Sequence, residues 1–260
     1  MHARAHVDGW PINVATPGEA VQAVMQRAKT PGPFTLFTLN LDHLVKLRHD
    51  DGFRAAYASA DLITADGAPV AGLARRQDAS FKRTTGADLV APLCKAAARV
   101  SCPVFFFGSS PAVLAKSARA LARHCDDELD VAGTLAPGAD FDPTGPEADA
   151  ALDEIRASGA RLCFIALGAP KQELFAAYAV AKGVPCGFMC IGAGLDFIAG
   201  AQHRAPQAWQ RFGMEWAWRL AGDPRRLAMR YARCARVLCD IVLRAPWRQV
   251  RTSRHPPASA

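Results

Sequence analysis

Long apolar runs are absent from this sequence, and so are the commonest cofactor-binding motifs. No stretch approaches the roughly 20 apolar residues of a membrane-spanning helix, which argues against an integral membrane protein. No G-x-G-x-x-G follows the first predicted strand and no G-x-x-x-x-G-K-[ST] occurs, which argues against a nicotinamide dehydrogenase and against a P-loop enzyme. The 18 prolines and 20 glycines are scattered, which excludes a collagen-like chain.

Paired cysteine motifs are missing as well. The eight cysteines are spread along the chain without any C-x-x-C, so we expect reduced structural cysteines and no bound metal, including at Cys186 and Cys190. None of the seven histidines belongs to a recognisable nucleophile motif, which argues against a covalent hydrolase. Residues 1–8 lack the apolar core of a secretory signal, so we expect a cytoplasmic protein.

The composition is that of a folded protein with a one-sided charge. The chain has 260 residues, of which 50% are apolar and 21% charged, enough to bury an ordinary core. Residues 201–260 contain twelve Arg, no Lys and three acidic residues, while the rest of the chain is almost neutral. Such a tail indicates an anionic partner: nucleic acid, phospholipid or a diphosphate. No nucleic-acid-binding motif accompanies the charge, so we do not expect nucleic acid.

Short apolar runs alternate with segments of helical periodicity, which predicts an α/β protein with a Rossmann-like, mainly parallel sheet flanked by helices. The predicted strands are Phe34 to Asn40, Asp61 to Asp66, Pro103 to Gly108, Leu129 to Ala136, Arg161 to Gly168 and Val184 to Gly192. The predicted helices are Gly18 to Ala28, Asp42 to Ala58, Ala87 to Val100, Pro111 to Cys125, Pro146 to Ser158 and Gln172 to Lys182. We expect a catalytic domain at 1–200 and an arginine-rich helical C-terminal appendage at 201–260.

Polar residues follow five of the predicted strands. They include Asn40, Asp66, Ser109, Gln172 and Asp196. Such residues also suit turns and helix caps, so one of them alone carries little weight. Because parallel strands end at one edge of a sheet, five such ends together predict a ligand cleft.

The appendage itself predicts a long amphipathic helix that begins near Pro224. Its apolar side is formed by Leu227, Tyr231, Cys234, Leu238 and Ile241, and arginines occupy a neighbouring arc. Two interpretations are open: a helix docked on the domain with a solvated basic face, or a helix that faces anionic lipid. Four of the five tryptophans also lie in the appendage, and indole favours the lipid–water boundary as well as protein cores.

One D-x-D pattern, Asp140-Phe141-Asp142, has a spacing that could hold a divalent cation against a nucleotide diphosphate. It lies between Pro and Gly residues that are typical of a surface turn. A metal-dependent transferase that uses Asp140 and Asp142 is therefore an alternative, and a metal-independent site is the expectation.

Several segments together resemble the WecG/TagA/CpsF glycosyltransferases, known as glycosyltransferase family 26. In chain order they are Thr38-x-Asn40, Ala65-Asp66-Gly67, Thr85-Gly86-Ala87-Asp88-Leu89, Leu167 to Glu173 with its P-K-Q-E, Arg204-Ala205-Pro206 and Glu215-Trp216 with Arg219-Leu220, Pro224 and Arg226. Two departures are conservative: Asp223 stands where the family often has Glu, and Ala193 where it often has Gly.

The resemblance implies inverting transfer of a sugar from a UDP-sugar donor to a polyprenyl-diphosphate-linked saccharide, without a metal or other cofactor. It implies a Rossmann-like fold, a C-terminal appendage that meets the membrane, a peripheral position on the inner face of the cytoplasmic membrane, and self-association of unspecified number. Members build teichoic acid linkage units, enterobacterial common antigen or exopolysaccharide repeats. The transferred sugar stays open among N-acetylmannosamine, its uronic acid and glucose.

The resemblance, together with the strand ends, assigns roles to individual residues. Asp66 is the expected general base, because it ends a strand and matches the family's proposed base. The expected substrate-binding residues are Thr38, Asn40, Gly86, Gln172, Glu173, Arg219, Arg226 and Arg230, and the arginines are candidates for the diphosphate. Glu173 could equally pair with an arginine. A non-enzymatic module that binds anionic lipid or nucleic acid is the remaining alternative.

Overall fold

The computed structural model describes residues 2–206, 208–209 and 213–252, and the side chains of Arg226 and of residues 245–252 lie outside that description. The strands are β1 Ala5–Val7, β2 Trp10–Ile12, β3 Phe34–Leu39, β4 Leu62–Ala65, β5 Val104–Gly108, β6 Val131–Leu135, β7 Leu162–Ala166 and β8 Gly187–Cys190. The helices are α1 Pro17–Ala28, α2 Leu41–Leu47, α3 Asp51–Ala58, α4 Ala68–Arg75, α5 Gly86–Ala98, α6 Pro111–His124, α7 Pro146–Ala157, α8 Lys171–Ala181, α9 Gly194–Ile198, α10 Glu215–Gly222 and α11 Pro224–Thr252.

Six strands form one parallel sheet in the order β4-β3-β8-β7-β5-β6. Every residue of β3, β4, β5, β7 and β8 is buried. Strands covered on both faces consist of continuous apolar runs, so these strands could be predicted from the sequence. The predicted α/β class with a Rossmann-like parallel sheet is confirmed.

The two faces of the sheet carry different helices. One core contains side chains of α1, α5, α6 and α9, and the other contains side chains of α2, α3, α4, α7 and α8. Since all strands are parallel, their carboxyl ends share one edge, and the helices that follow them begin there. Asn40 and Asp66 therefore lie side by side at this edge, one after β3 and one after β4.

One predicted helix is wrong in its extent. The segment Asp42 to Ala58 forms two helices, α2 and α3, rather than one. The Asp50 side chain accepts a hydrogen bond from the Phe53 amide and starts α3 as its N-cap. Helix α2 ends at its C-cap Arg48, and the Asp50 cap begins a new helix that buries Phe53, Ala56 and Tyr57.

Strands β1 and β2 and helices α4 and α9 were not predicted from the sequence. Strands β1 and β2 form an antiparallel hairpin whose turn residues Asp8 and Gly9 both have positive φ, the geometry for which Asp-Gly is favoured. Helix α4 follows Asp66 after Gly67, whose φ of 78° suits glycine. Gly67 thus allows the chain to turn sharply directly after the carboxylate.

Helix α11 of the C-terminal appendage begins at Pro224 as predicted and lies against α2. Of the predicted apolar side, Leu227 and Cys234 are buried and Tyr231, Leu238 and Ile241 are half-buried, in agreement with the amphipathic pattern; Val237, which the pattern did not include, is buried too. Arg230 pairs with Asp42 of α2 at 2.9 Å. No helix in the described part of the chain is both long and apolar enough to cross a bilayer.

Candidate active site

Asp66 lies at the carboxyl edge of the sheet with two hydrogen-bond donors from the neighbouring strand end. The Thr38 hydroxyl donates to Asp66 Oδ2 at 3.4 Å, and the Asn40 side-chain amide also donates to the carboxylate. Thr38 is the buried penultimate residue of β3, so the rigid centre of the sheet fixes its position. The structure therefore brings three of the predicted site residues together.

Asn40 uses both ends of its amide. Its Oδ1 accepts a hydrogen bond from the His43 backbone amide at 3.0 Å and so caps α2, while its nitrogen donates to Asp66. The same side chain thus begins a helix and orients a carboxylate. An Asn at a strand end suits a helix cap or a ligand site, and here its side chain caps α2 and also contacts the Asp66 carboxylate.

The surroundings of Asp66 make it more basic than an ordinary aspartate. Its pKa is raised to about 6, chiefly because burial removes water from the carboxylate. The positive charge of Arg219 and the hydrogen bond from Asn40 oppose this rise, while the negative charges of Glu215 and Asp88 add to it. At neutral pH the carboxylate is mostly ionised and close to the pH at which a general base works best.

Arginines and carboxylates from separate segments pair with one another, and two of these carboxylates, Glu215 and Asp88, act on Asp66 through their charge. Arg83 pairs with Glu215 at 2.8 Å, Arg204 pairs with Asp88 at 2.6 Å, and Arg204 also reaches Glu215 at 3.2 Å. We call Arg83, Asp88, Arg204 and Glu215 the arginine–carboxylate cluster. It joins the start of α5, the chain after α9 and the start of α10.

Arg219 lies on α10, one helical turn after Glu215. Its guanidinium carbon is 5.7 Å from the centre of the Phe197 ring, and Arg204 approaches the same ring at 5.8 Å. Arg219 is also the charged group that most strongly lowers the pKa of Asp66. A guanidinium therefore stands near the carboxylate, where a departing anion could be stabilised.

Gln172 and Glu173 are buried at the start of α8 rather than open to a cleft. The Gln172 amide donates to Glu173 Oε1 at 2.7 Å, and its oxygen accepts from the Gly192 amide at 3.0 Å. Gln172 thus ties α8 to the loop after β8. The alternative that Glu173 pairs with an arginine is not what the described residues show, since its carboxyl group contacts Gln172 and lies 3.8 Å from the ring of His43.

The contact between Glu173 and His43 is not an ion pair at neutral pH. Burial raises the pKa of Glu173 to about 8 and lowers that of His43 to about 3, so both groups are uncharged there. His43 Nδ1 lies 2.6 Å from the Tyr57 hydroxyl, and that hydroxyl donates to the Thr38 carbonyl at 3.4 Å. A buried polar network thus supports the strand end that carries Thr38.

The remaining predicted residues lie elsewhere. Gly86 begins α5 so close to β8 that a Cβ there would lie 2.7 Å from the Ile191 Cα, so its lack of a side chain serves packing. Arg230 is engaged by Asp42 rather than by the strand-end carboxylate. The side chain of Arg226 lies outside the described residues.

The D-x-D pattern lies in an exposed turn. Asp142 accepts hydrogen bonds from the amide and hydroxyl of Thr144, at 3.0 and 3.1 Å. Asp140 is exposed as well. Within residues 2–206, 208–209 and 213–252, no three His, Cys, Asp or Glu side chains are grouped so that they could hold a metal ion.

Sequence reasoning assigned no role to the members of the arginine–carboxylate cluster. Asp88, Arg204 and Glu215 stand in the segments that carried the family resemblance, and Arg83 precedes one of them. Their presence in those segments was the available signal. Their pairing was beyond local pattern analysis, because 132 positions separate Arg83 from Glu215.

A carboxylate of raised pKa under the positive charge of Arg219, at the carboxyl edge of a parallel sheet, marks a candidate active site. The chain can be placed more closely. The family model of the WecG/TagA/CpsF glycosyl transferases matches residues 5–252, and the chain belongs to this family. It is therefore a glycosyltransferase of cell-surface polysaccharide synthesis, which uses a sugar donor and a lipid-linked acceptor.

Proposed function

We propose that this protein transfers a sugar from a UDP-sugar to a polyprenyl-diphosphate-linked saccharide with inversion of configuration, and that Asp66 is the general base. The observation that carries the proposal is the Asp66 carboxylate, with its pKa raised to about 6, held by Thr38 and Asn40 beside the charge of Arg219. Family membership supports sugar transfer to a lipid-linked acceptor.

The chemical step is a single displacement. The acceptor hydroxyl oxygen attacks the anomeric carbon and forms the new glycosidic bond, while the bond from that carbon to the diphosphate oxygen breaks. The hydroxyl proton moves to Asp66, and the bonding electron pair leaves with the diphosphate. Inversion follows because the two oxygens occupy opposite faces of the anomeric carbon.

The departing diphosphate needs positive charge as it leaves. Arg219 is the candidate on the appendage, and Arg83 and Arg204 are the candidates next to it. Guanidinium groups in a site that excludes water stabilise such charge by a few kcal/mol each, on the order of one oxyanion-hole donor. The proposed step is therefore metal-independent.

The appendage also supports a membrane-facing orientation. Trp209, Trp216 and Trp218 are about 40% exposed, and Met229 and Leu243 are 65% and 70% exposed. Aromatic and apolar side chains interspersed with arginines suit the headgroup region of an anionic bilayer. We propose that this surface holds the enzyme on the inner face of the cytoplasmic membrane, next to its lipid-linked acceptor.

The proposal is tested by screening UDP-sugars with a short polyprenyl-diphosphate-linked GlcNAc or glucose acceptor. We expect one donor to give product, and Asp66→Asn to lower the rate by about 100-fold or more, as loss of a general base does. Asp142→Asn is the matched control, because it removes a carboxylate from the exposed D-x-D turn. Loss of activity in Asp142→Asn or in chelator, with Asp66→Asn active, would favour the metal-dependent alternative instead.

A further inference from the structure

Glu215 connects three segments of the chain through its two carboxylate oxygens. Oε2 accepts from Arg83, which precedes α5, at 2.8 Å, and Oε1 accepts from Arg204, which follows α9, at 3.2 Å. Arg204 is held in turn by Asp88 of α5 at 2.6 Å. The first residue of α10 is thereby tied to the body of the protein at two points.

The other recorded side-chain contacts of α10 are exposed ring contacts: Trp216 lies 6.0 Å from Tyr231, Trp218 lies 6.1 Å from Trp209, and Arg219 lies over the Phe197 ring. None of its eight residues is buried, and its Trp216 and Trp218 are 44% and 39% exposed. Since burial of apolar side chains is what normally fixes a short helix, polar contacts must contribute much of the docking here. The side chain of Glu215 is 18% exposed, so its ion pairs are better shielded from water than ordinary surface pairs.

Glu215 and Arg219 are four positions apart in α10 and so lie on one face of the helix. Fixing the first residue therefore fixes where the second one points. Arg219 lies over the Phe197 ring at 5.7 Å and acts on the Asp66 carboxylate through its charge. Release of Glu215 would withdraw Arg219 from the site.

We propose that Glu215 is a positioning residue, which ties α10 to Arg83 and Arg204 and thereby holds the Arg219 guanidinium beside Asp66. The effect of Glu215 on transfer, which rests on the proposed function, runs through Arg219 and not through contact with the reacting atoms. The docking of α10 by Glu215 does not depend on substrate, so it can be tested independently of the transfer reaction.

Docking is tested first, by hydrogen exchange on the full-length protein without substrate. Glu215→Gln keeps the size of the side chain but removes its charge, and we expect the α10 amides to exchange about tenfold faster or more. Asp240→Asn is the matched control, since it removes another appendage carboxylate, one that pairs with Arg48 and Arg244. Unchanged exchange in α10 of Glu215→Gln would overturn the proposal, whether or not the protein transfers sugar.

Coupling is tested next, by a double-mutant cycle in the transfer assay. We expect Glu215→Gln to lower kcat/KM by about 10- to 100-fold in the wild-type background and less than about twofold in Arg219→Ala. Equal effects in both backgrounds would overturn the coupling. If Glu215→Gln does not fold, Glu215→Asp is used in its place. Aspartate keeps the charge but has a shorter side chain, so we expect the same changes in exchange and in kcat/KM, with smaller size.

The pH profile separates positioning from a purely electrostatic effect. The charged groups that act on Asp66 are Arg219, Glu215 and Asp88. Removing the Glu215 charge by itself would lower the pKa of Asp66, whereas withdrawing Arg219 would raise it. We expect the acidic limb of the Glu215→Gln profile to move to higher pH, because Arg219 is the stronger influence. Movement to lower pH would overturn the proposal.

Discussion

Asp66 is expected to weaken the fold in its ionised form, so replacing it should stabilise the protein while abolishing its activity. Burial raises the pKa of the carboxyl group from an ordinary 3.8 to about 6 in the folded state. In the unfolded chain the group loses its proton at lower pH than in the folded protein. The folded state is therefore penalised progressively as pH rises from about 4 to about 6, by at most about 3 kcal/mol.

Asn at position 66 carries no charge at any of these pH values, so the variant escapes the penalty. We expect the free energy of unfolding of Asp66→Asn, minus that of the wild type, to grow by about 2 kcal/mol between about pH 4.5 and pH 8. Urea titrations of both proteins at several pH values measure this difference, and shared contributions from Glu173 and His43 cancel. Asp142→Asn serves as the control for loss of one carboxylate.

A difference that stays constant with pH, or that shrinks as pH rises, would refute the assignment of a destabilised carboxylate to Asp66. A growing difference together with lost transfer would identify a site where function is maintained at the expense of stability.

Four further variants test the roles of individual residues. Gln172→Ala should lower the free energy of unfolding by about 2 kcal/mol in urea titrations, because it leaves buried polar partners of the amide unpaired. Arg219→Ala should lower kcat/KM for transfer about 100-fold. Arg230→Ala should lower it less than about threefold, because Arg230 loses only an ion pair at the surface. Equal losses would count against the proposed role of Arg219. The double variant Trp216→Ala with Trp218→Ala should bind anionic vesicles about tenfold more weakly in sedimentation assays while keeping its unfolding transition. Undiminished binding would show that these rings do not contribute to membrane binding.

The sheet could be predicted from sequence because its strands are buried on both faces. Such strands appear as uninterrupted apolar runs, and the polar residues that end them mark the carboxyl edge. Asn40 and Asp66 could be placed together for this reason alone. The β1–β2 hairpin carried an equally local signal in Asp8-Gly9, but its strands are only three residues long.

The burial of Glu173 could not be predicted in the same way. A Glu in the first turn of a helix is usually exposed and faces solvent, which makes it a plausible ligand-binding residue. Here tertiary packing covers the start of α8, and the carboxyl group remains protonated at neutral pH. The arginine–carboxylate cluster could not be predicted for a related reason, because the fold brings its members together and their spacing in the sequence does not indicate it.

Three arginines at or next to the candidate site make their contacts within the protein itself. Arg83, Arg204 and Arg219 are held by carboxylates or by an aromatic ring, so their geometry is established before any substrate arrives. Preorganised charge of this kind lowers a barrier more than charge that must move into place.

The pH dependence of kcat/KM for sugar transfer by the wild-type enzyme tests the role of Asp66 most directly. If Asp66 must be ionised to accept the acceptor's proton, the rate should rise about tenfold per pH unit below its pKa of about 6 and level off above it. A rate that is constant from about pH 5 to pH 8, with the protein folded throughout that range, would contradict its assignment as the general base.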